Sequence, residues 1–98
     1  MKLQMHSIHF DADQKLLDFI QKKVDKLETF YDRVVDGEVY LRLNNSGIDN
    51  KTVEIKLNLP GRQIFAKEEA KSFEEAADLA TEALRRQIRK VKVKQTTH

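Results

Sequence analysis

Six cations, Arg85, Arg86, Arg89, Lys90, Lys92 and Lys94, fall within the sixteen residues from Ala83 to His98, and no acid stands among them. The chain of 98 residues holds eighteen Lys and Arg in all, so the other twelve face sixteen Asp and Glu in the preceding part. The formal net charge of +2 conceals this polarity. Guanidinium and ammonium groups gathered this way bind polyanions, and Arg binds phosphate bidentately, so function is expected at that end and nucleic acid is the expected ligand. Glu82 sits at helical spacing from Arg85 and Arg86 but can pair with only one of them. A second, weaker ridge of Lys15, Lys22 and Lys26, with Lys23 beside it, recurs at i, i+7 and i+11 and is flanked by Phe19 and Phe30. Surface lysines interspersed with Asp18, Asp25 and Glu28 are its bland reading, just as a helix dipole offset by terminal cations is that of the first cluster.

Other chemistry finds little support in the residues. Cysteine is absent, which excludes disulfides, thiol nucleophiles and cysteine metal sites and leaves a cytoplasmic address as the expectation. His6 and His9 stand three apart on a strand-like segment and so on opposite faces, and His98 is terminal, so no metal or acid-base set converges. Ser7, Ser46 and Ser72 are accounted for by strand, loop and cap. Three Gly are too few for a phosphate-cradling loop, and Asp11 and Asp13 suit a helix start better than acid-base work. Neither an enzyme nor a cofactor is expected. Met1 to Phe10 has no uninterrupted apolar run, so neither a signal peptide nor a membrane span is expected.

The elements that position the cations follow from periodicity. Leu3 and Met5 alternate with polar neighbours, and so do Ile8 and Phe10 out of phase with them, which predicts a first strand ending in a bulge or turn. Asp13, or alternatively Asp11, caps a helix whose stripe is Leu16, Ile20, Val24, Leu27 and Tyr31. Val39, Leu41 and Leu43 alternate with Glu38, Tyr40 and Arg42. Val53, Ile55, Leu57 and Leu59 do the same with Glu54, Lys56 and Asn58, giving two more strands. The run from Asn44 to Asn50 is a long hairpin loop, and Pro60-Gly61 fits a type II turn leading to a short strand around Ile64 to Lys67. Ser72 and Glu75 have capping-box spacing. Phe73, Ala77, Ala80, Leu84, Ile88 and Val91 then form the stripe of a second helix to about Val91, with Gln95 to His98 as a frayed tail.

The predicted class is therefore α+β in the order β-α-β-β-β-α, a four-stranded sheet with two helices packed on one face, a layout like that of a double-stranded-RNA-binding domain. Strands one and two should be parallel, joined by a right-handed crossover. Tyr40, Arg42, Lys56 and Asn58 fall on or near the other face. An RNA-recognition motif needs a different order and more stacking aromatics. Residues 1–98 are expected to form a single domain.

These residues resemble the short hibernation-promoting factors and ribosome-associated translation inhibitors. Lys26-Leu27-Glu28-Thr29-Phe30 is similar to that family's Lys-Leu-Glu-x-aromatic ending of the first helix, and Val53-Glu54-Ile55-Lys56-Leu57 with Pro60-Gly61 to its third strand and turn. Ala76-Ala77-Asp78 and Leu84-Arg85-Arg86-Gln87-Ile88 with the Lys-rich end resemble its second helix. Each piece is common alone, whereas their order and spacing over nearly the whole chain are fairly specific. Where members often carry Asp-x-Tyr at the start of that helix, this chain has Ser72-Phe73-Glu74. The end at His98 makes the chain resemble the short form, without a long tail or a dimerising second domain.

The resemblance implies a protein of the small ribosomal subunit's messenger and transfer RNA channel that holds ribosomes idle under stress or in stationary phase. It implies that Lys22, Lys23, Lys26, Arg85, Arg86, Arg89, Lys90, Lys92 and Lys94 contact ribosomal RNA phosphates. The implied partners are the small subunit and its RNA, with no membrane, no small-molecule substrate, and a helper protein for ribosome dimerisation left open. Two other readings of the residues stand beside it. One is a general double-stranded RNA-binding module; the other is a protein-protein adaptor using Tyr40, Phe19 and Phe30.

Overall fold

A computed structural model describes residues 1–44 and 50–96, the last four by backbone alone. The elements are β1 (Lys2–Ile8), α1 (Gln14–Asp25) continued by a 3₁₀ turn (Lys26–Thr29), β2 (Asp36–Leu43), β3 (Lys51–Leu59), β4 (Arg62–Ala70) and α2 (Phe73–Thr96). The sheet order is β1-β2-β3-β4. β1 and β2 run parallel with Lys2 opposite Asp36 and Ile8 opposite Arg42, while β2–β3 and β3–β4 are antiparallel. This is the α+β order read from the residues.

Alternation decides the faces. Val39 and Leu41 of β2, Val53, Ile55 and Leu57 of β3, and Ile64 and Ala66 of β4 are buried under the helices. Ile20, Val24 and Leu27 meet them from α1 and the 3₁₀ turn, and Ala77, Ala80, Leu84, Ile88 and Val91 from α2. Two helices thus cover one face, and α2 lies over β3 and β4. The small Ala76, Ala77 and Ala80, fully buried, let α2 approach the sheet closely before the larger Leu84 and Ile88 fill the wider space beyond.

The local signals hold in detail. Asp13 caps α1 by accepting a 2.8 Å hydrogen bond from the Leu16 amide, so Asp11 is not the cap. Ser72 accepts one of 3.1 Å from the Glu75 amide; among the described contacts this is the half of the capping box that forms. Gly61 has φ 79°, the positive angle that a type II turn requires after Pro60.

Three boundaries differ from expectation. β1 continues unbroken to Ile8 and the phase change occurs at His9, whose φ of 67° turns the chain, so the turn and not a bulge is realised and His9 lies beyond the strand. β4 spans nine residues because its ladder with β3 runs from Leu59–Arg62 to Lys51–Ala70. α2 continues past Val91 to Thr96, since the apolar stripe ends there but no Gly or Pro stops the backbone. The hairpin loop is closed by the Asn44 amide donating to the Asn50 carbonyl at 2.8 Å, and the residues between them lie outside those described. No helix among the described residues is long and apolar enough to cross a membrane.

Candidate nucleic-acid interface

The C-terminal half of α2 and the end of α1 meet at Phe30, the residue that closes the 3₁₀ turn. That turn exists because the α1 stripe continues through buried Leu27 while the helix tightens, and Thr29 secures it with a 2.6 Å bond to the Lys26 carbonyl. Phe30 is left 40 % exposed. The Arg85 guanidinium lies 4.5 Å from its ring centroid, and the Lys92 ammonium donates to its carbonyl at 2.7 Å. Both cations belong to the flank of α2 that faces α1.

Two hollows lie at this junction. One, of about 60 Å³, is lined by Phe30, Arg85, Ile88, Arg89 and Lys92. The other, of about 230 Å³, is lined by Lys23, Lys26, Leu27, Phe30, Thr81, Glu82 and Arg85. The structure therefore brings together Lys23, Lys26, Arg85, Arg89 and Lys92 from the two basic segments. Arg86 and Lys90 are exposed on the outer surface of α2 beyond these hollows, and Lys22 is exposed on α1. Lys94 belongs to the backbone of α2, with its side chain outside the described part.

Carboxylates neutralise little of this surface. Lys23 pairs with Asp78 at 2.6 Å across the two helices, and Arg85 lies 3.7 Å from Glu82, the single partner that spacing allowed. Among the described residues, Arg86, Arg89 and Lys90 have no carboxylate within 4 Å. Because α2 runs on to Thr96, Arg86, Arg89 and Lys90 lie before its last turn, whereas Glu74 and Glu75 occupy its first.

The opposite face of the sheet is organised differently. Tyr40 stacks on His6 at 4.8 Å, with Arg42 and Lys56 each 5.4 Å from its ring centroid. Acids stand among these groups: Arg42 meets Glu54 at 3.4 Å, the His6 ring lies 3.3 Å from Glu38, and Tyr40 donates to Glu38 at 2.8 Å, so that Glu38 and Glu54 offset the charges of Arg42 and Lys56. That last bond raises the Tyr40 pKa above its ordinary value. This face offers no net charge to a polyanion. It also separates Tyr40 from Phe30 and Phe19, so the three aromatics of the adaptor reading do not share one surface; Phe19 is half-buried against the core, with Lys23 5.5 Å from its ring centroid. No group of three or more His, Asp or Glu converges in metal-binding fashion among the described residues.

Sequence reasoning named the cations but missed Phe30 as their meeting point and Asp78 as the partner of Lys23. The i, i+4 relation of Lys26 to Phe30 was the available signal. Phe73 stacks on Phe10 at 5.0 Å and packs against the core.

The family model described as sigma 54 modulation protein / S30EA ribosomal protein matches residues 3–96. The chain belongs to this family. Among its relatives, the ribosome hibernation promoting factor of Pseudomonas putida is 26 % identical over 95 residues, covering 97 % of this chain and 90 % of that protein. The ribosome hibernation promotion factor of Bacillus subtilis is 29 % identical over 94 residues, covering 96 % of this chain and 50 % of its own. The corresponding factor of Deinococcus radiodurans is 27 % identical over 93 residues, covering 93 % and 49 %. The chain thus spans about half the length of two of these family members and most of the third. A ribosomal subunit interface protein from Coxiella burnetii superposes with a TM-score of 0.86 at 25 % identity, covering 95 % of this chain and 99 % of that one. The Thermus thermophilus Protein Y N-terminal domain shares the fold at a TM-score of 0.82 and 23 % identity, covering 93 % and 99 %.

Proposed function

We propose that this chain is a cytoplasmic ribosome hibernation factor in which residues 1–98 form one ribosome-binding domain. In this reading it binds the small ribosomal subunit in the messenger and transfer RNA channel through its basic helix ends, blocking translation and preserving idle ribosomes during stress or stationary phase. The observation that carries the reading is the convergence of Lys26, Arg85, Arg89 and Lys92 around Phe30, with Arg86 and Lys90 alongside, in a member of a family whose relatives are named for ribosome hibernation. The sheet's open face, where Glu38 and Glu54 offset the charges of Arg42 and Lys56, supplies bulk.

The mechanism is steric and electrostatic. Ribosomal RNA phosphates replace the water around the unpaired guanidinium and ammonium groups, releasing counterions, and the folded body occupies the path that messenger and transfer RNA need. No bond is made or broken. The site residues are Lys22, Lys23, Lys26, Arg85, Arg86, Arg89, Lys90, Lys92 and Lys94, with Lys23 giving up its Asp78 partner in part.

Charge reversal at Arg85, Arg86, Arg89 and Lys90 together is expected to abolish cosedimentation with small subunits while circular dichroism shows the fold retained. Unchanged cosedimentation of that variant overturns the proposal. A sucrose gradient of stationary-phase cells with and without the protein shows where it travels and whether ribosome dimers depend on it. Equal affinity for free duplex RNA and for ribosomes would count instead for general duplex binding.

A further inference from the structure

The two hollows beside Phe30 differ in charge, and the difference matches the two halves of a nucleotide. Arg85, Arg89 and Lys92 supply all the charge around the smaller hollow, on a floor of Phe30 and Ile88. In the larger hollow Lys23 is held by Asp78 and Glu82 lies near Arg85, so Lys26 is the one lining cation there with no carboxylate within 4 Å among the described residues. A phosphate gains less in the second hollow than in the first, which holds three cations and no acid, whereas a flat uncharged ring finds in the second an aromatic face, the Leu27 side chain, and a volume of about 230 Å³. Phe30 and Arg85 border both hollows.

The state of Arg85 is the second observation. Its Nε is buried without a hydrogen-bond acceptor, and its Glu82 contact is a loose 3.7 Å. The ring contact with Phe30, and not an ion pair, therefore holds the guanidinium in place. Bases of unpaired RNA stack on aromatic rings and on guanidinium planes, and such stacking tolerates any base.

We propose that the Phe30–Arg85 pair is a seat for one unpaired RNA nucleotide, with the base stacked against the pair in the larger hollow and a flanking phosphate held by Arg89 and Lys92 at the smaller one. The seat rests on the RNA-binding reading above and adds to it a contact that depends on the base and not on charge. Phe30 is exposed because its ring serves the ligand.

The test uses the full chain, a short single-stranded RNA carrying 2-aminopurine, and an abasic backbone of equal length and charge. The wild-type protein should bind the base-bearing strand about tenfold more tightly than the abasic one and quench the 2-aminopurine on binding. Phe30→Leu should erase that preference, lowering affinity for the base-bearing strand more than for the abasic one, and Phe30→Tyr should restore it. Arg89→Glu with Lys92→Glu should weaken both strands alike. Equal wild-type affinity for the two strands without quenching overturns the seat, and so does a Phe30→Leu variant that loses both equally. Should wild-type protein cosediment with ribosomes yet ignore the base-bearing strand, the seat falls and the ribosomal reading stands; should it do neither, the ribosomal reading itself fails. The quenching arm needs no variant, so a Phe30 substitution that impaired folding would not remove the test.

Discussion

Arg85 shows how one side chain's geometry separates it from its neighbours. It shares its charge with Arg86, Arg89 and Lys90, but it alone lies on an aromatic ring, at 4.5 Å. Arg85→Lys keeps the charge and loses the planar stack, so ribosome affinity should fall by several-fold, whereas Arg86→Lys should change it little; titration of labelled protein against small subunits distinguishes the two. On the far side of the sheet, Tyr40 provides an independent reading of local electrostatics. Its hydroxyl donates to Glu38 at 2.8 Å, and this bond, followed by burial, raises its pKa. The folded protein holds that proton more tightly than the unfolded chain. The associated stabilisation is therefore fully present below the unfolded value of about 10 and is lost as pH rises through the raised folded value. Absorbance at high pH should show one tyrosine of Glu38→Gln ionising at lower pH than in the wild-type protein; identical titrations would contradict the contact. Arg86, Arg89 and Lys90 were legible as unpaired from the shortage of nearby acids. The Lys23–Asp78 pair was not, since those residues stand 55 positions apart and only packing of α1 on α2 makes them neighbours.

At the scale of elements, β2 carries a constraint that alternation alone does not reveal. A Cβ on Gly37 would come within 2.6 Å of Leu57 Cδ2, 2.7 Å of the Lys56 carbonyl oxygen and 2.9 Å of Leu3 Cδ2. The leucine tips can rotate away, but a carbonyl fixed in the β2–β3 ladder cannot. Gly37→Ala should therefore destabilise the fold by about 1–3 kcal/mol in urea unfolding. Leu84→Ala, at a fully buried position where α2 meets the core, should cost about 2–5 kcal/mol. Neither change should alter the charge of the interface. Helix positions were largely readable because stripe and cap agreed: Ile20, Val24, Leu27 and Tyr31 are all buried, and Asp13 caps as its type and place suggested. Helix and strand ends were less readable. The extra length of β4 comes from its ladder with β3, which is a partner's property and not that of residues 62 to 70. Continuation of α2 beyond Val91 comes from the absence of any breaker, where a pattern of burial has nothing left to report.

Across the whole molecule, charge and shape are aligned. The body measures 47 × 24 × 19 Å, and α2, about 36 Å long at 1.5 Å per residue, carries acids at one end and the cation cluster at the other. If about six phosphates are neutralised on single-strand-like RNA, the logarithm of the binding constant should fall against the logarithm of salt concentration with a slope of roughly −4 to −5. A slope near zero would mean that the cations are solvated decoration. The order of elements, the single buried sheet face and the surplus of positive charge near the C-terminus were determined by sequence alone, because periodicity, turn chemistry and net charge are local or additive properties. Tertiary structure decided which cations face one another. Packing α2 beside α1 directs Arg85 and Lys92 to Phe30, leaves Arg86 and Lys90 facing outward, and creates two unlike hollows from residues more than fifty positions apart. A side chain's neighbours across a helix-helix contact depend on the rotation and crossing of both helices, and those are set only when the whole core closes.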